Sequence, residues 1–141
     1  MASSPPEPDS LQRSSAHWLA ALQAQPPRSE LGPLQLAWLG DAVWELHQRV
    51  QHCQSPGRAH DNHRAVVAAV RADAQAQVLQ QLDPMLRPSE RDLVRRARNR
   101  AGQGPRRGDA QSYGLATGFE ALLGWLFLND PARLVELLDH L

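Results

Sequence analysis

The sequence contains one cysteine and no lysine, and it has neither a long apolar run nor a surplus of charge. Cys53 has no second cysteine to pair with, so an internal disulfide is excluded and a reducing compartment is expected. No stretch approaches the roughly 20 apolar residues that a membrane-spanning helix needs. The first ten residues lack the positive start and apolar centre of a secretory signal. These absences predict a cytoplasmic protein without a membrane segment.

Basic charge is carried by arginine alone and is concentrated in one part of the chain. The 15 basic residues balance 15 acidic residues, so the formal net charge is zero and there is no overall attraction to nucleic acid. Eight arginines nevertheless lie within residues 87–107, where Glu90 and Asp92 are the only acids. The neutral total therefore hides one strongly basic segment.

Apolar residues recur at the spacing of helices, which predicts an all-α domain of five or six helices. Residues 1–10 are rich in proline and serine and predict a disordered tail; residues 11–30 predict a short helix and a linker; residues 31–141 predict the folded domain. Within this domain, helices are expected from Pro33 to about Gln51, from about His60 to Leu82 in one piece, from an N-cap at Ser89 to about Arg100, over residues 111–129, and from Pro131 onward.

Two acids stand inside otherwise apolar helical segments. Asp41 lies in the sequence LGDAVWEL at residues 39–46, and Glu120 is the only charge between Gly118 and Leu128. An ionised carboxylate in apolar surroundings is costly unless a cation or hydrogen-bond donors replace its lost water. A divalent metal ion between the two helices would satisfy both acids. The alternative for Asp41 is an ordinary exposed acid on a helix surface.

These segments resemble the two acidic helices of the ribonuclease III catalytic domain. LGDAVWEL is similar to the first-helix motif of that domain, and GFEALLG at residues 118–124 is similar to its second acidic helix. RRARN at residues 95–99, the Gly/Pro loop after it and QSY at residues 111–113 are similar to the small branch called Mini-ribonuclease III, which lacks a double-stranded-RNA-binding domain. The resemblance implies the all-α ribonuclease III catalytic fold over roughly residues 31–138.

The resemblance also implies an activity and a site. It implies an endoribonuclease that cleaves double-stranded or structured RNA with Mg²⁺, for which Mn²⁺ can substitute, and it assigns Asp41 and Glu120 as catalytic residues and metal ligands. Precursor 23S ribosomal RNA is the implied substrate, and the implied assembly is a homodimer with one acidic site per protomer. A ribosomal protein that presents the RNA is a further expected partner. Tryptophans expected in the core or at an interface are Trp38, Trp44 and Trp125.

The expected metal site departs from the pattern of full-length ribonuclease III enzymes. Those enzymes resemble one another in two further acids, at positions that are Ala37 and Thr117 here. Because the small branch shares this reduction, the expected direct ligands are Asp41 and Glu120, completed by water and RNA phosphate. Glu45, one turn beyond Asp41, and Thr117 are expected to support these ligands, and a nearby arginine is the alternative partner for Glu45. The branch has larger polar or aromatic residues at the positions of Gly114 and Leu115.

The basic segment predicts contacts to RNA. Arg91, Arg95 and Arg98 recur at helical spacing and form one ridge. The planar arginine fork donates two parallel hydrogen bonds to a phosphate, and double-stranded RNA is recognised mainly through phosphates and 2′-hydroxyls. The alternative is a solvated helix face. The expected RNA contacts are Arg91, Arg95, Arg98, Asn99, Arg100, Arg106, Arg107 and Gln111.

Two other functions stay open from the sequence. One is a non-catalytic RNA-binding or ribosome-assembly module on the same fold, and the other is a helical domain whose arginine face binds an acidic protein. His60 and His63 have the spacing of metal ligands, but no cysteine or second histidine pair accompanies them, so a zinc site is not expected. Cys53 has no evident histidine or asparagine partner, so a thiol nucleophile is not expected either.

Overall fold

The computed structural model describes residues 17–24, 31–54, 56–104 and 108–141. The chain divides into two compact units, residues 1–30 and 31–141. In the first unit, residues 17–23 form helix α1. The predicted tail, and Arg106 and Arg107 of the predicted RNA contacts, lie outside the described residues.

The described residues of the second unit form six helices and one 3-10 turn. The described residues contain no strand, so the predicted all-α fold is confirmed. The helices are α2 (Pro33–Cys53), α3 (Ala59–Ala69), α4 (Ala72–Leu82), α5 (Pro88–Arg100), α6 (Ala110–Asn129) and α7 (Pro131–Leu138), and the 3-10 turn is Asp83–Met85. None of the described helices is both long and apolar enough to cross a bilayer.

Helix α6 is the centre of this unit. Its sequence is apolar on nearly every side, and helices α2, α4, α5 and α7 all pack against it. Phe119, Leu122, Leu123 and Leu126 are fully buried. Because almost the whole circumference of α6 is covered, a carboxylate on this helix can reach solvent only where two covering helices leave a gap.

Helices α2 and α6 cross with their backbones in contact. A Cβ built on Gly40 overlaps the carbonyl oxygen of Glu120 and lies 2.9 Å from the amide nitrogen of Gly124. A Cβ built on Gly124 overlaps the carbonyl oxygen of Leu36 and lies 3.1 Å from the amide nitrogen of Gly40. Each glycine lowers the intrinsic stability of its helix by about 1 kcal/mol relative to alanine. In return, the pair allows the two acidic helices to approach closely.

The predicted single helix from His60 to Leu82 is wrong, because the chain breaks at Val70 and Arg71. Arg71 has an extended ψ of 150°, and α4 starts after it. Side chains satisfy carbonyl groups at this break: Trp44 Nε1 donates to the oxygen of Ala69 at 3.1 Å, and Gln75 Nε2 donates to that of Val70 at 3.0 Å. The side chains of Trp44 and Gln75 are both buried, so this break depends on packing contacts that the spacing of apolar residues does not predict.

The predicted N-cap of α5 is also wrong. Pro88 is the first residue of α5, Arg87 occupies the cap, and Glu90 Oε1 accepts a hydrogen bond from the Arg87 amide at 2.8 Å. Glu90 is buried and pairs with the buried Arg133 of α7: Nε donates to Oε2 at 2.9 Å, and Nη2 donates to Oε1 at 2.8 Å. Burial alone would raise the pKa of Glu90, but the hydrogen bonds and charge of Arg133, together with Arg87, hold it below its usual value.

We expect Gly124→Ala to destabilise the protein by about 1–3 kcal/mol or more, because the new methyl group must push α2 away from α6. Gly114→Ala is the matched control in the same helix. A Cβ at Gly114 has its nearest neighbours at 3.9 Å, on Arg98, so this change should be neutral or stabilise by up to about 1 kcal/mol. Urea denaturation of both variants measures the difference. Equal effects of the two substitutions would contradict the close crossing.

Candidate active site

The helix crossing brings Asp41 and Glu120 together. Asp41 follows Gly40, and Gly40 lies against the backbone of Glu120 itself. The two carboxyl groups are close enough to share a hydrogen bond, although they are 79 positions apart in the chain. Asp41 is exposed and Glu120 is half-buried, so the pair lies at the surface end of the gap between α2 and α6.

Two carboxyl groups at this distance cannot both be ionised without cost. Burial, the neighbouring charge of Asp41 and the hydrogen bond between the two side chains raise the pKa of Glu120 to about 8. The pair therefore retains a proton at neutral pH in the absence of another cation. Among the described residues, no arginine or histidine forms an ion pair with either acid.

The donor set fits a hard divalent cation. Both side chains offer carboxylate oxygens, which Mg²⁺ and Mn²⁺ prefer, and Mg²⁺ keeps several of its waters when one or two carboxylates bind it. The described residues contain no group of three or more histidine, cysteine, aspartate or glutamate side chains that could enclose a metal ion. An ion at this site would therefore keep positions open for water and for an oxygen of the substrate.

The two supporting residues expected from the sequence have other partners. Glu45 is half-buried one turn beyond Asp41, and its Oε1 accepts from Arg49 Nη2 at 2.7 Å. Thr117 is buried, and its hydroxyl donates to the carbonyl oxygen of Tyr113 at 2.9 Å. Ala37 is buried in a small apolar cluster between α2, α5 and α6. Among the described residues, neither Glu45 nor Thr117 forms a hydrogen bond with Asp41 or Glu120.

An open apolar cleft borders Asp41 on the outer side of α2. Its volume is about 490 Å³, and Trp38 in its wall is 82% exposed. Trp44, by contrast, is buried against Phe119. Trp125 is 41% exposed. Trp38 lies three residues before Asp41, so helical spacing alone could have assigned both to one exposed face.

The predicted RNA-contact residues of α5 and α6 are exposed. Arg91 contacts Asp83, and Arg95 and Arg96 both contact Asp92. Arg98 and Arg100 form no ion pair with the described residues. The remaining exposed members of the predicted set are Asn99 and Gln111.

Comparison with known proteins identifies the family of the chain. The family described as ribonuclease III domain matches residues 34–131, a range that includes both acids. The chain belongs to the ribonuclease III domain family. The endoribonuclease activity expected from the sequence is thereby confirmed.

Relatives of the chain are proteins named Mini-ribonuclease 3. The one from a Synechococcus species is 48% identical over 112 residues, which cover 79% of this chain and 81% of the relative. The one from Gloeobacter violaceus is 54% identical over 99 residues, which cover 70% and 73% of the two chains. An X-ray crystal structure of a Fusobacterium nucleatum protein is similar at a TM-score of 0.71 and 27% identity, and it covers 78% of this chain and 90% of that one.

The raised pKa of Glu120 predicts how stability depends on pH in the metal-free protein. The unfolded chain releases this proton near pH 4.5, whereas the folded chain holds it until about pH 8, so the free energy of unfolding falls as the pH rises through this window. Glu120→Gln removes the titrating group. We expect this variant to gain stability relative to the wild type as the pH rises.

Urea denaturation in EDTA between about pH 5 and pH 8 measures this difference. Glu45→Gln, one turn from Asp41 on α2, is the control and should retain the pH dependence of the wild type. A difference between Glu120→Gln and wild type that does not change with pH would contradict the proposed coupling of the two carboxyl groups.

Proposed function

We propose that this endoribonuclease cuts double-stranded RNA, with Asp41 and Glu120 as the catalytic residues that bind Mg²⁺ or, as a substitute, Mn²⁺. One observation carries the proposal: the carboxyl groups of Asp41 and Glu120 lie together. No arginine or histidine among the described residues forms an ion pair with either of them. The resemblance to Mini-ribonuclease III supports precursor 23S ribosomal RNA as the substrate, the cytoplasm as the location and a ribosomal protein as a helper.

Each residue of the pair has a distinct task in this proposal. The exposed Asp41 would hold the cation at the surface, and the half-buried Glu120 would bind it in its deprotonated form. A divalent ion held by these two carboxylates would neutralise charge at the scissile phosphate and would lower the pKa of a water molecule. The backbone contact at Gly40 and Gly124 holds both carboxyl groups in place, so little reorganisation is needed when RNA arrives.

The exposed side of α5 is the proposed surface for the duplex. A double-stranded RNA is bound through its phosphates and 2′-hydroxyls, and arginines without aromatic stacking platforms suit that task. The sequence-predicted set on α5 and at the start of α6 stays a prediction. Its described members are Arg91, Arg95, Arg98, Asn99, Arg100 and Gln111.

A homodimer is proposed because it would supply one site for each RNA strand. The cleft at Trp38 is apolar and adjoins Asp41, so a second copy packed there by two-fold symmetry would bury the exposed tryptophan. The two acidic sites would then lie on either side of the symmetry axis. Such an interface would also exclude water from one wall of each site.

Cleavage of a long RNA duplex tests the proposed function. We expect Mg²⁺ to be required, and Asp41→Asn and Glu120→Gln to abolish cutting while circular dichroism shows that the helices persist. Glu45→Gln is the matched control because it removes a neighbouring carboxylate of α2, and we expect it to retain most of the activity. Products separated on a denaturing gel give the readout.

Three results would contradict parts of this proposal. Full activity of both acid variants would exclude Asp41 and Glu120 as the catalytic residues. Cutting that continues in excess EDTA would exclude the metal. Duplex binding without cutting under any divalent cation would favour a non-catalytic RNA-binding module instead.

A further inference from the structure

The exposed arginines of α5 differ in how fully they are already engaged. Arg91 is the most engaged: its Nη1 lies 3.1 and 3.2 Å from the two carboxylate oxygens of Asp83, and its Nε donates to the carbonyl oxygen of Leu86 at 3.3 Å. Its Nη2 donates to the backbone carbonyl of Asp83. Arg91 therefore ties α5 to the 3-10 turn that precedes it.

Arg95 and Arg96 share one acid. Nη2 of Arg95 and Nε of Arg96 donate to the two carboxylate oxygens of Asp92, the latter at 3.0 Å. These hydrogen bonds hold the pKa of Asp92 below its usual value. The single negative charge leaves one positive charge between the two arginines.

Arg98 is engaged differently, through its apolar stem. Its side chain is exposed and forms no hydrogen bond or ion pair with the part of the chain that the structure describes. Its stem lies along two glycines of α6: Cγ is 3.4 Å from a Cβ built on Gly118 and 3.9 Å from one built on Gly114, and Nε is also 3.9 Å from the latter. The absence of side chains on α6 makes room for this stem.

Arg98 lines a cleft with an apolar floor that Arg91, Arg95 and Asp83 also line, and of these three arginines it alone has no acidic partner among the described residues. The cleft has a volume of about 310 Å³ and lies between α4, α5 and α6, with Val94 and Leu115 among its lining residues. A charge beside apolar groups is less well screened than one surrounded by water. A stem that is already packed also loses less side-chain entropy when its head group binds a ligand.

We propose that, of the ridge formed by Arg91, Arg95 and Arg98, Arg98 binds an RNA phosphate most strongly, and that Arg91, against the expectation from the sequence, is a structural residue. This inference rests on the proposed double-stranded-RNA substrate. A phosphate that binds Arg98 displaces only water and salt ions, whereas a phosphate that binds Arg91 must first displace Asp83. Only binding at Arg98 therefore releases one more counterion, which steepens the dependence of the binding constant on salt.

The test is the salt dependence of RNA binding by full-length variants in EDTA, where no cutting occurs. A fluorescein-labelled blunt RNA duplex is titrated at salt concentrations from about 50 to about 200 mM, and fluorescence anisotropy gives the binding constant. Arg98→Gln should weaken binding and reduce the slope of log K against log salt by about 0.9, the value for one phosphate contact. Arg98→Lys should restore most of the slope, because it keeps the charge.

Arg91→Gln is the matched control on the same ridge. It should lower the midpoint of urea denaturation, since α5 loses its link to the 3-10 turn, and leave the slope close to that of the wild type. An unchanged slope in Arg98→Gln, or an equal loss of slope in Arg91→Gln, would overturn the inference. Failure of the wild type to bind the duplex at low salt would instead overturn the proposed substrate.

Discussion

The close backbone crossing of α2 and α6 is the constraint on which the rest of this structure depends. Gly40 and Gly124 each lie where any larger residue would overlap the opposing helix. The contact places Asp41 against Glu120, at a point where the half-buried Glu120 of the central helix reaches solvent. The glycines of the two motifs are therefore as much a part of the site as the acids beside them.

At this crossing the carboxyl groups of Asp41 and Glu120 repel each other when both are ionised, and a bound cation would relieve that repulsion. Two carboxyl groups lie together here, and burial and the neighbouring Asp41 raise the pKa of Glu120 to about 8. Elsewhere in the same unit, the buried Glu90 receives two hydrogen bonds from Arg133 and remains ionised. The contrast between an acid that has its own arginine and an acid that has none is what distinguishes a structural ion pair from a candidate cation site.

Much of the fold followed from the sequence, and the exceptions share one cause. Pro33, Pro131 and the apolar run of α6 predicted helices that the structure contains. The break at Val70 did not follow, because buried side chains distant or downstream in the chain satisfy the exposed carbonyls there. The acidic partners of the α5 arginines could not be predicted from the sequence either. Spacing predicted one ridge, but Asp83 and Asp92 neutralise part of it, and the glycines of α6 single out Arg98.

The most direct measurement of the central claim is anomalous diffraction from crystals soaked in Mn²⁺. The account predicts one strong peak between Asp41 and Glu120, at about 2 Å from an oxygen of each carboxyl group, and its loss in crystals of Glu120→Gln. A manganese ion bound elsewhere, with the two carboxyl groups still hydrogen-bonded to each other, would contradict it.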